Sequence, residues 1–288
     1  MTNSTKITDL PPDVESFINS SIKNESPAIA LAQYYKSNRT ILKPMPVETV
    51  RIGKFGGLPF NFLSTDIHSG CLPISSICYG NCSQALLTLE QGYNFGDRKL
   101  NHFDIATIRH DLSKLPSNQK WLRQGWASDI SLSKQGWKNT AILGELINAA
   151  GKVMVILTKV FTNPSRDVLL RLARTNTEIR VSISPLDKNK VLRKRLDFVK
   201  QYHELGGIAV PYLMTSIYKN ETIRQRQEDI LQWIIESDLP GTEHPLRFNS
   251  SNPLTDLIDI SQSFAHPKFP HQRWFGNLYP ETLLLPAP

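Results

Sequence analysis

From residue 59 onward, short apolar runs alternate with stretches whose apolar positions recur every three or four residues. That alternation predicts strands followed by helices. PFNFLST (59–65) reads as a first strand, SQALLTLEQGY (83–93) as a helix, WLRQGWASD (121–129) as a second strand and TAILGELINAAG (140–151) as a helix. KVMVILTKV (152–160) is almost continuously apolar and rich in β-branched residues, the pattern of a strand buried on both faces of a parallel sheet. Asn163 and Pro164 suit the N-cap and first position of a helix over 165–175. EIRVSISPL (178–186) and IAVPYLM (208–214) read as further strands. The helix between them places Leu192, Leu196 and Val199 on one face and stops at a Gly pair. Asn220 caps a long helix, HPLRFN (244–249) reads as a sixth strand, and PLTDLIDISQSF (253–264) as a sixth helix.

Repeated strand–helix units of this spacing predict an α/β fold with parallel strands and right-handed crossovers. Six units fall short of an eightfold closure, so the expectation is a partial (β/α)6 TIM-like barrel over residues 59–250. Residues 1–58 read as an N-terminal extension, with helices opened by Pro11-Pro12 (through Ile18) and by Pro27 (through Tyr35). Residues 251–288 hold the last helix and a tail rich in Pro and aromatics, expected to cover an opening of the barrel.

Composition narrows this frame in two ways. No apolar run reaches the length of a membrane span, and the polar N-terminus lacks the regions of a signal peptide, so a cytoplasmic protein without a membrane partner is expected. The net charge of +7 suits an acidic substrate or partner, although the basic run Lys188–Arg195 reads first as a solvated helix face.

All three cysteines of the chain, Cys71, Cys78 and Cys82, lie within twelve residues, in GCLPISSICYGNCSQ. An odd, sparse set makes a poor disulfide framework. Three thiolates on a loop between a first strand and a first helix can bind three irons of a [4Fe–4S] cluster and leave the fourth iron open. Zinc held by the same cysteines with His68 is an alternative that the six-residue spacer disfavours, and three buried thiols without metal are the plainest reading. Walker, dinucleotide-binding, zincin and nucleophile-elbow motifs are absent from the sequence.

This loop resembles that of the radical S-adenosylmethionine (SAM) superfamily, whose usual C-x3-C-x2-C motif follows the first strand of a partial barrel. The C-x6-C-x3-C spacing here looks like a divergent branch with an aromatic beside a cysteine, here Tyr79. The resemblance covers roughly residues 59–240 and implies a [4Fe–4S] cluster on Cys71, Cys78 and Cys82 with SAM on the open iron. It implies further that Gly125 and Ser128, in GWASD, lie at the segment that meets the SAM amino group. Thr158 and Lys159 fall at the mouth of strand three, and Ser182 and Ser184 near the ribose. The following helix carries Arg193 and Arg195, of which at most one can face the SAM carboxylate because they lie two positions apart, and Arg193 is the first candidate. Cleavage of SAM then starts hydrogen abstraction from an unidentified substrate, with an external electron donor such as flavodoxin or ferredoxin. Lys159, after a wholly apolar strand, and Asp129, at a strand end, are the candidate catalytic side chains, and Asp129 has capping of the next segment as its alternative. The competing function is a zinc- or Fe–S-stabilised module that binds nucleic acid or another partner without redox chemistry.

Overall fold

In the computed structural model, which describes residues 6–55, 63–73, 82–175, 177–237, 239, 242–245 and 254–259, the apolar runs form one sheet. Its strands are β1 (Lys54–Phe55), β2 (Leu63–Thr65), β5 (Trp121–Gln124), β6 (Val153–Thr158), β7 (Glu178–Ile183), β8 (Ile208–Thr215) and β9 (Thr242–Pro245), hydrogen-bonded in that order. β1 lies antiparallel on β2, and every other neighbouring pair is parallel. A small ribbon of β3 (His68–Ser69) and β4 (Lys99–Leu100) stands apart from it. The α/β class and the parallel sheet agree with the sequence reading.

Strand order follows chain order from β2 to β9 without reversal, so right-handed crossovers put the connecting helices on one face. These are α3 (Ser83–Glu90), α4 (Ile105–Ser113), α5 (Lys134–Ala149), α6 (Arg166–Arg174), α7 (Asn189–Glu204) and α8 (Glu221–Glu236). Side-chain alternation then separates two surfaces. Leu122, Met154, Ile156, Ile179, Val181, Ala209 and Leu213 join the core with Trp137, Leu143, Leu169, Leu172, Val199 and Ile230 of the helices. The alternate positions, turned from those helices, carry Arg123, Glu178, Arg180, Ser182 and Tyr212. Burial stabilises the first surface by hydrophobic transfer, whereas the second must pair its charges. Arg180 Nε accordingly donates to Glu178 at 2.8 Å, both side chains being buried. Burial pushes the Glu178 carboxyl up despite that pairing.

The N-terminal helices are α1 (Pro12–Glu25), which runs on well past Ile18, and α2 (Pro27–Ser37), each with proline at its start. Val14 and Ile18 of α1, with Leu10 just before it, cluster with Leu186, Tyr218 and Ile223, and α2 packs Ala28 and Ile29 on Ala85 and Leu89 of α3.

Several expected boundaries move, each for a local reason. The strand over 121–129 ends at Gln124, because Gly125 turns the chain with φ +88°. A Cβ there would sit 2.8 Å from the Leu157 carbonyl oxygen, so the turn requires glycine. α5 begins at Lys134, where Ser133 Oγ accepts the Gly136 amide at 2.9 Å. α4, within a stretch that has no clear period, is started by Asp104, which accepts the Thr107 amide at 2.8 Å. α6 starts at Arg166, after Ser165, so Asn163 and Pro164 precede the helix. The helix expected from residue 253 is replaced over Leu254–Asp259 by a turn. Leu254 there takes φ +50°, and the Asp259 and Lys219 amides bond across to Ile217 and Leu257. Residues 260–264 of that expectation lie outside the described residues, as does most of HPLRFN; its first two residues end β9.

Candidate functional site

A cavity of about 160 Å³ opens where β5, β6 and β7 end. Its wall brings together Cys71, Cys82, Gly125, Ser128, Asp129, Thr158, Lys159 and Ser182, residues spread over more than a hundred positions of sequence. Phe95, Trp126, Leu157 and Phe161 supply its apolar surface. Parallel strands explain the convergence, since all their C-terminal ends and the loops that follow them open on one side.

Cys71 and Cys82, eleven positions apart in the sequence, both reach the wall. Cys71 follows Gly70, whose φ is +70° and whose missing Cβ leaves room for the Phe95 carbonyl at 2.7 Å. The Cys71 amide then donates to that same carbonyl at 2.9 Å. Cys82 is the extended residue that opens α3, and both cysteines pack against the apolar cluster of α2, α3 and Phe95. Cys78 and Tyr79 lie outside the described residues. Among the described residues, no three His, Cys, Asp or Glu side chains are grouped as a metal ion needs. His68 lies elsewhere: its Nε2 meets Ser133 Oγ at 3.0 Å at the start of α5, beside Gly136, and burial holds its pKa below the usual value. Nothing described therefore places His68 as a fourth ligand beside the cysteines.

The second wall is the segment Gly125–Ser128. Three successive amides, those of Trp126, Ala127 and Ser128, donate to Asp66 Oδ1 at 2.9, 3.0 and 3.4 Å. Asp66 directly follows β2, and burial pushes its carboxyl up to about 6 against the opposing pull of those amides and of Arg123. The Arg123 guanidinium lies 4.6 Å from the Trp126 ring centroid. Ser128 Oγ is buried at the wall without a hydrogen-bond partner.

The third wall, residues 158–162, is held by hydrogen bonds at every position. Asp129 accepts from Thr158 Oγ1 at 2.8 Å, from the Lys159 amide at 2.6 Å, and from the Ser131 amide and hydroxyl at 2.8 and 2.5 Å. The Lys159 carbonyl accepts from Arg195 Nε, and the Phe161 carbonyl from Lys194 Nζ, each at 2.8 Å. Trp137 Nε1 donates to the Thr162 carbonyl at 2.8 Å. Between these anchors Val160 is buried with φ +51°. That conformation is costly for a β-branched residue and persists only where its surroundings over-determine it. The loop thus presents Lys159 and Phe161 to the cavity as a rigid pair.

These contacts sort the expected residues. Asp129 acts as a staple: with four donors on its two oxygens it starts the short turn Ile130–Leu132 and fixes the Lys159 backbone, the capping alternative of the sequence reading. Ser182 reaches the cavity, whereas Ser184 is absorbed into the turn after β7, its amide donating to Asp187 Oδ2 and its hydroxyl oxygen accepting from the Leu186 amide. Arg193 points away and pairs with Asp9 on the outer face of α7. Arg195 is the inward member, buried against Asp187 at 2.6 Å. Sequence reasoning missed Asp66; its signal is an acidic residue placed straight after a strand, where the next strand's turn offers bare amides.

No family model, curated protein or solved structure matches this chain. No described helix is long and apolar enough to cross a membrane.

Proposed function

We propose that the chain is a radical SAM-type enzyme whose site is this cavity, with the sheet forming the arc of a partial (β/α)6 barrel. The carrying observation is the meeting of Cys71 and Cys82 with Ser128, Lys159 and Ser182 on one wall system at the strand ends. The parallel topology brings the strand ends to one side, and what supports the reading is that two of the three clustered cysteines join them there. The donor set suits an iron–sulfur cluster: two thiols pack at an apolar wall, and the third, Cys78, lies between them in the sequence. The buried, unpartnered Ser128 hydroxyl is a polar group that a ligand in the cavity would satisfy.

On this reading Cys71, Cys78 and Cys82 hold the [4Fe–4S] cluster, which supplies one-electron reduction of the SAM sulfonium when loaded from an external donor. The protein's own residues orient the ligand and keep water away. Ser128 and Ser182 offer hydroxyls to its polar groups, and the Lys159 ammonium, on its pinned loop, sets a fixed positive charge at the rim. Trp126, Phe161 and Phe95 exclude solvent from the reacting centre. The unreversed strand order, with the connecting helices on one face, supports the partial-barrel reading.

Anaerobic reconstitution with iron and sulfide, followed by EPR of the dithionite-reduced protein, tests the proposal. The expected result is a [4Fe–4S] signal that changes when SAM is added and is lost in Cys78→Ala. Zinc binding alone, or a cluster indifferent to SAM, overturns it and favours the partner-binding module.

A further inference from the structure

We infer that Asp66 is a positioning residue of the cavity: its carboxylate latches the Trp126–Ser128 segment, and with it the Trp126–Arg123 stack, in the shape the wall requires. Three consecutive backbone amides aimed at one carboxylate oxygen form an anion cradle, and this one is filled from within the chain. Asp66 also joins two parts of the site. It stands between β2 and the ribbon strand β3 that leads to Gly70 and Cys71, while its partners line the opposite wall. Asn101 ties the same joint, donating from Nδ2 to the Asp66 carbonyl at 3.1 Å.

The charge state of the carboxyl sets the strength of the latch. An ionised carboxylate accepts charge-assisted bonds of roughly twice the neutral strength, and it also faces the Arg123 guanidinium. Protonation weakens all three amide bonds together and removes the counter-charge beside the Arg123–Trp126 stack. Among the described residues, Arg123 of β5 is the charged group whose field acts on Asp66. His68, two residues along the chain, turns its Nε2 to Ser133.

The consequence for ligand binding rests on the function proposed above; the latch itself does not, so a ligand-free readout tests it. Fluorescence is recorded from about pH 4.5 to 8 for the wild type and Trp126→Phe, and the difference isolates Trp126. The expected difference is sigmoidal with a midpoint near about 6, kept in His68→Gln and absent from Asp66→Asn. A flat difference, or an unchanged midpoint in Asp66→Asn, overturns the latch. If Asp66→Asn fails to fold, the wild type still decides: the Trp126 and Ala127 amide proton resonances titrate together with that midpoint, and stationary resonances refute the inference. SAM affinity measured on the same samples separates the two claims, since a protein that titrates without binding SAM keeps the latch and loses the proposed function.

Discussion

Replacing Asp129 by alanine tests whether that carboxylate is a staple. The change removes four hydrogen bonds at once, to Ser131 (amide and hydroxyl), Thr158 and Lys159. The two hydroxyls can rotate toward other acceptors, but both amides are fixed by the backbone, that of Ser131 buried and that of Lys159 part-buried. An unsatisfied buried donor costs about 1–3 kcal/mol, so two of them cost about 2–6 kcal/mol, with about 4 as the central expectation. The loop also loses the tie that holds Val160 at φ +51°, which frees that residue to relax and slackens the wall. In urea unfolding, a slope of about 3 kcal/mol/M turns 4 kcal/mol into a midpoint lower by about 1 M or more. Asp129→Asn keeps one acceptor and turns an NH2 group toward the Lys159 amide, so it falls between alanine and wild type. Lys159→Ala keeps both backbone bonds of residue 159 and moves the midpoint less than Asp129→Ala. An Asp129→Ala midpoint within about 0.2 M of wild type would refute the reasoning, because two stranded amides cannot cost so little.

Two further outcomes follow from the charged groups. Arg195→Ala leaves Asp187 buried without its guanidinium partner and releases the Lys159 carbonyl, for an expected loss of about 3–5 kcal/mol. Arg193→Ala, on the exposed face of the same helix, changes stability by less than about 1 kcal/mol; paired thermal melts check the contrast, and equal effects would sink it. For Asp66, the folded carboxyl at about 6 lies above its unfolded value of 3.8, so its contribution to stability is present in acid and lost as pH rises through 6. Measured against Asp66→Asn, the wild type should therefore lose about 2 kcal/mol between about pH 4.5 and 7.5, and a difference independent of pH would contradict the assigned burial.

The sequence alone determined the parallel α/β sheet, because strands buried on both faces must be written as nearly unbroken apolar runs, as in VMVILT of β6. It also determined which segments meet at the cavity, since parallel strands deliver every strand end to the same side. Cys71 was legible from the clustering of the three cysteines, and Thr158 and Ser182 as strand-end residues through the resemblance, without any knowledge of their contacts. Only the tertiary structure decided what each side chain does there. Asp129 and Lys159 read alike as polar residues at strand ends, yet the fold spends the carboxylate on four donors and leaves the lysine on the cavity wall. Arg193 and Arg195 differ in sequence only by two positions, and the rotation of α7 against the sheet sends one to solvent and the other into the core. Asp66 shows in the sequence only as an acidic residue straight after a strand, because its partners are backbone amides sixty residues away, and hydrogen-bond donors common to nearly every residue leave no trace in the identity of the side chains that flank them.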